Sequence, residues 1–163
     1  MRGPSLFSGY LNNQEATRDA FTDEGWFKTG DLATCDAAGN VRLTGRVKDI
    51  INRGGVKFNP LDIEALLLQH PSIAEAAVAP VPDAVLGEKA CAFVVLKPGT
   101  ALDLDAVREF LAARGVTKLK WPEQLELVAA MPVTPTRKVI KGQLVGALLA
   151  RQPETKQHNS GTP

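Results

Sequence analysis

Cysteine and histidine are scarce in this sequence of 163 residues, which contains two of each. Cys35 and Cys91 are far apart along the chain, and so are His70 and His158. A disulfide framework or a zinc site needs clustered ligands, so neither is expected, and the sequence predicts no bound metal. We interpret both cysteines as small apolar residues in a reducing compartment.

Excess charge and long hydrophobic runs are also missing. The 19 basic and 18 acidic residues give a net charge of +1, whereas a nucleic-acid-binding protein needs a strong basic excess. No apolar segment is long enough to span a bilayer, and none near the first residue resembles a signal peptide. We therefore expect a soluble, cytoplasmic protein that binds no nucleic acid and does not span a membrane.

The composition that remains is that of a globular protein, with 44% hydrophobic and 23% charged residues. Two stretches, residues 46–57 and 137–151, are rich in lysine and arginine and have few acids nearby in the sequence. Such clusters suit an anionic small ligand better than a polyanion. The alternative is that these side chains are ordinary solvated surface groups.

Residues 1–45 contain many turn-forming residues and few large apolar ones. A short helix is predicted at 14–21, and the turn at 36–40 predicts a hairpin of two strands at 31–34 and 41–45. Because this stretch is too small and too polar for a core of its own, we expect it to pack on a partner surface.

Residues 46–150 have a denser apolar pattern, which predicts a small α+β domain with a mixed sheet and flanking helices. The predicted strands lie at 48–52, 56–58, 76–81, 90–96 and 124–128. Helices are predicted after the N-cap Asn59 with Pro60 at the first helical position, from Leu104 to near Gly115, and around Ile140. The polar residues 151–163 predict a disordered tail.

Five short motifs occur in order along the chain. They are Arg-Gly-Pro…Gly-Tyr at 2–10, Gly-Trp-Phe-Lys-Thr-Gly-Asp-Leu at 25–32, Gly-Arg-x-Lys-Asp-x-Ile…Gly-Gly…Pro…Ile-Glu at 45–64, Val-Pro-Asp…Gly-Glu at 81–88, and Pro-x-Thr-x-x-x-Lys at 132–138. Together they resemble the adenylate-forming superfamily, which joins acyl-CoA synthetases, peptide-synthetase adenylation domains and firefly luciferase. Five ordered motifs are far more specific than one. The resemblance implies that residues 46–150 form the C-terminal lid domain, and that residues 1–45 are a strip of the large N-terminal AMP-binding domain.

The resemblance implies nucleotide contacts at Asp31 and Arg46. Asp31 matches the aspartate that accepts hydrogen bonds from the ribose hydroxyls of ATP, a role that suits the two acceptor oxygens of a carboxylate. Arg46 matches an arginine that also reaches the nucleotide sugar. The alternatives are structural, with Asp31 accepting from nearby backbone amides and Arg46 in a surface ion pair of little energetic value.

A hinge and a loop follow in the third motif. Lys48 falls at the hinge about which the lid rotates, where many family members have aspartate. Arg53, Gly54, Gly55 and Lys57 match the loop that lines the CoA channel in the second half-reaction. Paired glycines allow backbone conformations closed to other residues and a close approach to a ligand, although they also suit an ordinary hairpin turn.

Lys138 matches the family's catalytic lysine, which bridges the carboxylate of the acid and the α-phosphate of ATP during adenylation. We expect it at the start of the closing helix, where a cation is poorly placed for stability but well placed to attract an anion. Its alternative is a solvated loop lysine. Relatives usually have glycine just before this lysine, and Arg137 stands there in this chain, where it could restrict the loop or add a phosphate contact.

Two motifs of the family are not found in the sequence: the phosphate-binding loop that ends in Pro-Lys-Gly, and the Tyr-Gly-x-Thr-Glu motif that stacks adenine and helps to hold magnesium. In a full-length member both precede Arg2. The resemblance therefore implies an acid–CoA ligase portion that uses ATP, Mg²⁺ and CoA but is inactive without the large domain. Two alternatives stay open: a non-catalytic free-standing lid or truncation remnant, and an adenylation-domain lid that serves a carrier protein.

Overall fold

The computed structural model describes residues 1–151, and within it the chain divides into two compact units. The first unit is Met1–Asp49, and the second begins at Ile50. Arg151, the first residue of the predicted disordered tail, is the last residue of a helix. The rest of that predicted tail, residues 152–163, lies outside the described residues.

The first unit is a helix followed by a hairpin. Helix α1 (Gln14–Ala20) begins after Asn13, whose side chain accepts a hydrogen bond from the backbone N–H of Ala16. Strands β1 (Asp31–Cys35) and β2 (Val41–Arg46) pair antiparallel, as the turn at 36–40 predicts. None of residues 1–49, all of which the structure describes, is buried. The unit therefore lacks a core of its own.

The second unit contains five strands and three α-helices in its described part. The strands are β3 (Ile51–Arg53), β4 (Val56–Phe58), β5 (Ile73–Asp83), β6 (Gly87–Leu96) and β7 (Gln124–Leu127). The helices are α2 (Pro60–Leu67), α3 (Leu104–Ala112) and α4 (Lys141–Arg151). Helix α2 starts as the sequence predicts, because the Asn59 side chain accepts from the N–H of Leu61.

The sheet of the second unit is mixed and has β6 at its centre. The strand order is β4-β3-β6-β5, with antiparallel pairs throughout, and β7 adds to β6 in parallel. An α+β domain with a mixed sheet and flanking helices is therefore confirmed.

The core lies on both faces of this sheet. Alternate residues of β6 face opposite sides, so that Ala90, Ala92 and Val94 pack with α2 and α3 whereas Cys91 and Phe93 pack with α4. All five of these side chains are fully buried. Burial on both faces explains why β6 has an almost continuous apolar sequence.

Two local predictions were wrong. The strand predicted from Lys48 begins only at Ile51, and Lys48 lies in a short 3₁₀ helix, Val47–Asp49. The strand predicted at 76–81 is too short, because β5 runs from Ile73 through Pro80 and Pro82 to Asp83, and the turn follows at 84–86. Prolines, which have no N–H to donate, are tolerated there because β5 is an edge strand, and no strand among the described residues lies on its outer side.

Candidate functional site

The two predicted nucleotide residues are partners of each other. Asp31 begins β1 and Arg46 ends β2, and the register of the hairpin places them opposite one another. Arg46 Nε donates to Asp31 Oδ1 at 2.9 Å. The Asp31 side chain remains 27% exposed, so its carboxylate is oriented by Arg46 and still open to solvent.

The Gly54-Gly55 loop is a two-residue hairpin turn between Arg53 and Val56. Both glycines have positive φ values, 53° and 89°, which is what a type I′ turn requires at its two central positions. A Cβ on Gly54 would lie 3.2 Å from a methyl group of Leu86. The loop therefore depends on glycine for its backbone conformation and for its close packing on the β5–β6 turn.

The β5–β6 turn supports the glycine loop. Asp83 Oδ1 accepts from the N–H groups of Val85 and Leu86, and these bonds, that of Leu86 first, lower the pKa of the Asp83 carboxyl. The carbonyl of Leu86 in turn accepts from Gly54 N at 2.9 Å. Glu88 accepts from Asn52 N at 2.8 Å. The Val-Pro-Asp…Gly-Glu motif, to which the sequence alone assigned no role, thus braces the β3–β4 hairpin.

Arg53 is held by an acid that sequence reasoning missed. Its guanidinium pairs with Glu123 Oε1, and Glu123 Oε2 accepts from the backbone N–H of Ala90 at 2.9 Å. An open depression of about 200 Å³ lies beside this pair. It is lined by Arg53, Arg108, Lys118, Trp121, Pro122 and Glu123. Three cations and one acid line this depression beside the glycine loop, and because Arg108 also pairs with Asp105 at 3.4 Å, the excess positive charge is small.

Lys138 lies in a small closed loop before α4. Val133 and Val139 pair antiparallel, and Ile140 N donates to the carbonyl of Pro132 at 2.8 Å. Lys138 N donates to Thr134 Oγ1 at 3.0 Å, and the carbonyl of Lys138 accepts from Thr134 N at 2.8 Å. The backbone of Lys138 is thus fixed while its side chain is exposed. Its predicted position at the helix start was wrong, since α4 begins three residues later.

Arg137 adopts a positive φ of 63°, a conformation that glycine reaches without strain. Its N–H donates to the carbonyl of Thr134 at 2.8 Å, which closes the turn just before Lys138. This geometry suits the glycine that the family resemblance leads us to expect at this position. The turn needs a left-handed residue, and arginine adopts that conformation at a cost.

Half of the cations in the two basic clusters are paired with acids that are distant in the sequence but close in the structure. Arg46 pairs with Asp31 and Arg53 with Glu123, while Lys141 and Arg151 pair with Glu64 and Glu126. Within the clusters, and among residues 1–151, no ion pair reaches the remaining cations, which are Lys48, Lys57, Arg137 and Lys138. All four are exposed. The available positive charge therefore lies at the predicted hinge, on the β3–β4 hairpin and in the Lys138 loop.

In the part of the chain that the structure describes, no group of three or more His, Cys, Asp or Glu residues is arranged to hold a metal ion. No helix in that same part is long and apolar enough to cross a membrane.

Comparisons with known proteins identify the family. Residues 62–138 match the family described as the AMP-binding enzyme C-terminal domain. The chain is 43% identical over 141 residues to the medium-chain fatty-acid–CoA ligase of Escherichia coli K12, covering 86% of this chain and 25% of that protein. It is 40% identical over 150 residues to enterobactin synthase component E of the same strain, covering 92% of this chain and 28% of that protein.

Solved structures agree. ATP-bound MatB from Rhodopseudomonas palustris superposes with a TM-score of 0.83 at 35% identity, covering 90% of this chain and 29% of that one. The o-succinylbenzoate CoA synthetase MenE from Bacillus subtilis, in complex with its acyl-adenylate intermediate, gives 0.76 at 30% identity, covering 88% and 29%. The chain spans about a quarter of the length of the curated relatives it matches. Residues 62–138 belong to the AMP-binding enzyme C-terminal domain family, and the chain as a whole is similar to the C-terminal portion of adenylate-forming enzymes.

Proposed function

We propose that this chain is the lid region of an acid–CoA ligase, which activates a carboxylic acid with ATP and then transfers the acyl group to CoA. Its partner is a large N-terminal AMP-binding domain, and the chain is inactive without it. The observation that carries the proposal is the Lys138 loop, in which a fixed backbone presents an exposed lysine that no acid neutralises among the described residues.

In the first half-reaction, a carboxylate oxygen of the acid attacks the α-phosphorus of ATP, and the bond to pyrophosphate breaks. The Lys138 ammonium neutralises charge that builds up on the α-phosphate and the attacking carboxylate. The large domain would mainly hold the Mg²⁺ that accompanies ATP, and that ion would neutralise phosphate charge. Asp31, which Arg46 orients through one carboxylate oxygen, accepts from the ribose hydroxyls.

In the second half-reaction, the CoA thiolate attacks the acyl carbonyl carbon, and the C–O bond to AMP breaks. The lid turns at Lys48, and the Gly54-Gly55 loop lines the channel through which CoA arrives. Lys57 and the weakly positive depression beside Arg53 attract the phosphates of CoA. One site then serves both steps in turn.

The test is a fusion of the full chain to the large domain of the E. coli medium-chain fatty-acid–CoA ligase, in place of its own C-terminal quarter. We expect ATP–pyrophosphate exchange with a medium-chain fatty acid from the fusion and none from the chain by itself. Lys138→Ala should lower the exchange rate about 10²–10³-fold, the usual effect of losing one charge-stabilising group. A fusion that folds but exchanges no pyrophosphate would contradict the proposal and favour a non-catalytic lid.

The acyl acceptor needs a separate assay, because the relatives include a CoA ligase and a synthase component at similar identity. We expect the fusion to form a thioester with CoA. Thioester formation on a carrier protein but not on CoA would instead identify the chain as an adenylation-domain lid.

A further inference from the structure

Lys141 is the first residue of α4 and lies three residues after Lys138. Its Nζ atom is buried and lies 2.7 Å from Glu64 Oε1, and the two side chains are 21% and 12% exposed. The contact is a close ion pair, not an aligned hydrogen bond, and no other group in residues 1–151 forms a hydrogen bond or ion pair with this ammonium. Its charge is therefore balanced by Glu64.

Glu64 connects three elements of the second unit. It belongs to α2, and its Oε1 atom also accepts from the backbone N–H of Val78 at 2.7 Å. Val78 lies on β5, an edge strand of the sheet. The carboxylate therefore ties the start of α4 to a helix and a strand that are themselves fixed in the core.

Helix stability does not explain a lysine at this position. A cation in the first turn opposes the helix dipole, and a buried ammonium needs a partner that an apolar side chain would not need. What the pair adds is a fixed location for the first residue of α4. Because the carbonyl of Pro132 accepts from Ile140 N, the residue next to Lys141 closes the loop that presents Lys138.

We propose that the Glu64–Lys141 ion pair positions the Lys138 loop for the adenylation half-reaction and takes no part in thioester formation. Lys141 and Glu64 are positioning residues and do not contact substrate. This inference rests on the proposed function of Lys138, and it adds a means by which the sheet and α2 set the location of that lysine.

The test uses the same fusion with matched variants. Lys141→Met removes the charge and keeps most of the side-chain volume, Lys141→Arg keeps the charge, and Glu64→Gln removes the acid. Arg151→Met is the control, because Arg151 pairs with Glu126 at 3.5 Å near the other end of α4. Each variant is assayed for pyrophosphate exchange and, separately, for thioester formation from preformed acyl-adenylate and CoA.

We expect Lys141→Met and Glu64→Gln to lower the kcat of exchange about 10–100-fold, as small misplacements of catalytic groups do. Thioester formation should stay unchanged in both variants. Lys141→Arg should keep most of the pyrophosphate exchange of the parent, and Arg151→Met should match the parent in both assays. Equal losses in both half-reactions would show a purely structural role and overturn the proposal. Unchanged exchange in Lys141→Met would also overturn it.

A second measurement separates this inference from the proposed function. Amide hydrogen exchange of the full chain by itself should be about tenfold faster at residues 134–140 in Lys141→Met, with β5 and β6 unchanged. If the parent fusion shows no pyrophosphate exchange, the proposed function fails. The amide hydrogen exchange rates still decide whether the Glu64–Lys141 pair holds the Lys138 loop. Unaltered amide exchange in the loop would refute the positioning role.

Discussion

Arg137 adopts a φ of 63° although it is not glycine, and its side chain is exposed and outside every ion pair among residues 1–151. A non-glycine residue in the left-handed region costs about 1–2 kcal/mol. Replacing it with glycine removes that cost. The glycine also makes the unfolded chain more flexible, which stabilises the unfolded state by about 0.4–1 kcal/mol. For Arg137→Gly we therefore expect a net gain of about 0.8 kcal/mol in the free energy of unfolding, the middle of the range that these two effects leave.

Three substitutions at this position separate backbone strain from loss of the side chain. Arg137→Ala keeps the strain and removes only exposed atoms, so its stability should match the parent within about 0.5 kcal/mol. Arg137→Asn should lie between alanine and glycine, because asparagine tolerates the left-handed region. Arg137→Val should be the least stable, since a β-branched residue is a strong outlier there.

The assay is urea unfolding of the full chain, monitored by the fluorescence of Trp121. That indole donates to the carbonyl of Val116 at 2.8 Å in the second unit. A Trp26→Phe background removes the other tryptophan, which lies in the first unit. For the second unit, which has roughly 100 described residues, the expected gain corresponds to a rise in Tm of about 3–6 °C. A glycine variant that is less stable than the alanine variant would refute the strain argument.

Three further predictions concern other groups of the chain. Gly55→Ala should lower the free energy of unfolding by about 1 kcal/mol in the same assay, because Gly55 has a φ of 89°. In the fusion, the same substitution should slow thioester formation more than pyrophosphate exchange, and equal slowing of both would contradict the role of the loop. Burial, followed by the charges of Arg114 and Lys97, lowers the pKa of His70, whose Nδ1 accepts from Ser72 N, so the neutral imidazole is the form that the fold favours. The contribution of His70 to the free energy of unfolding should be complete above the pKa of about 6.5 in the unfolded chain, and should decrease as the pH falls from there towards the pKa in the folded chain. His70→Gln should abolish that part of the pH dependence in urea titrations. Burial raises the pKa of the Cys91 thiol to about 12, whereas Cys35 is exposed, so a thiol reagent at pH 8 should label one cysteine per folded chain and two in urea; labelling of both in the folded chain would contradict the packing.

The elements that the sequence predicted well are those fixed by local rules. The Asn59-Pro60 helix start needs only a capping side chain and a fixed φ, and the β3–β4 turn needs only two adjacent glycines. The end of β5 was missed because Pro82, which follows the strand predicted at 76–81, argues against a strand unless the strand lies at an edge. Edge position is a property of the assembled sheet, which no window of the sequence contains.

The partners of the candidate site residues were missed for a related reason. Glu123 is 70 residues from Arg53, and Glu64 is 77 from Lys141, so neither pair is visible without the packing of the strands. The basic clusters therefore have few acids nearby in the sequence, although several of their cations are in ion pairs in the structure. The motif spacing in the sequence selected Lys57 and Lys138, and neither lysine forms an ion pair in the described part of the chain.

The ion pair between Asp31 and Arg46 depends on the register in which β1 and β2 are paired. At the turn end of the hairpin Cys35 is opposite Val41, and a regular ladder from there would place Gly45 opposite Asp31. A one-residue irregularity between Leu32 and Ala33 shifts the register, so that Arg46 is opposite Asp31 instead. Because successive residues of a strand point to opposite faces, that single shift is what brings the guanidinium onto the same face as the carboxylate. The nucleotide contacts proposed for this pair therefore depend on a β-bulge as much as on the identity of the two side chains.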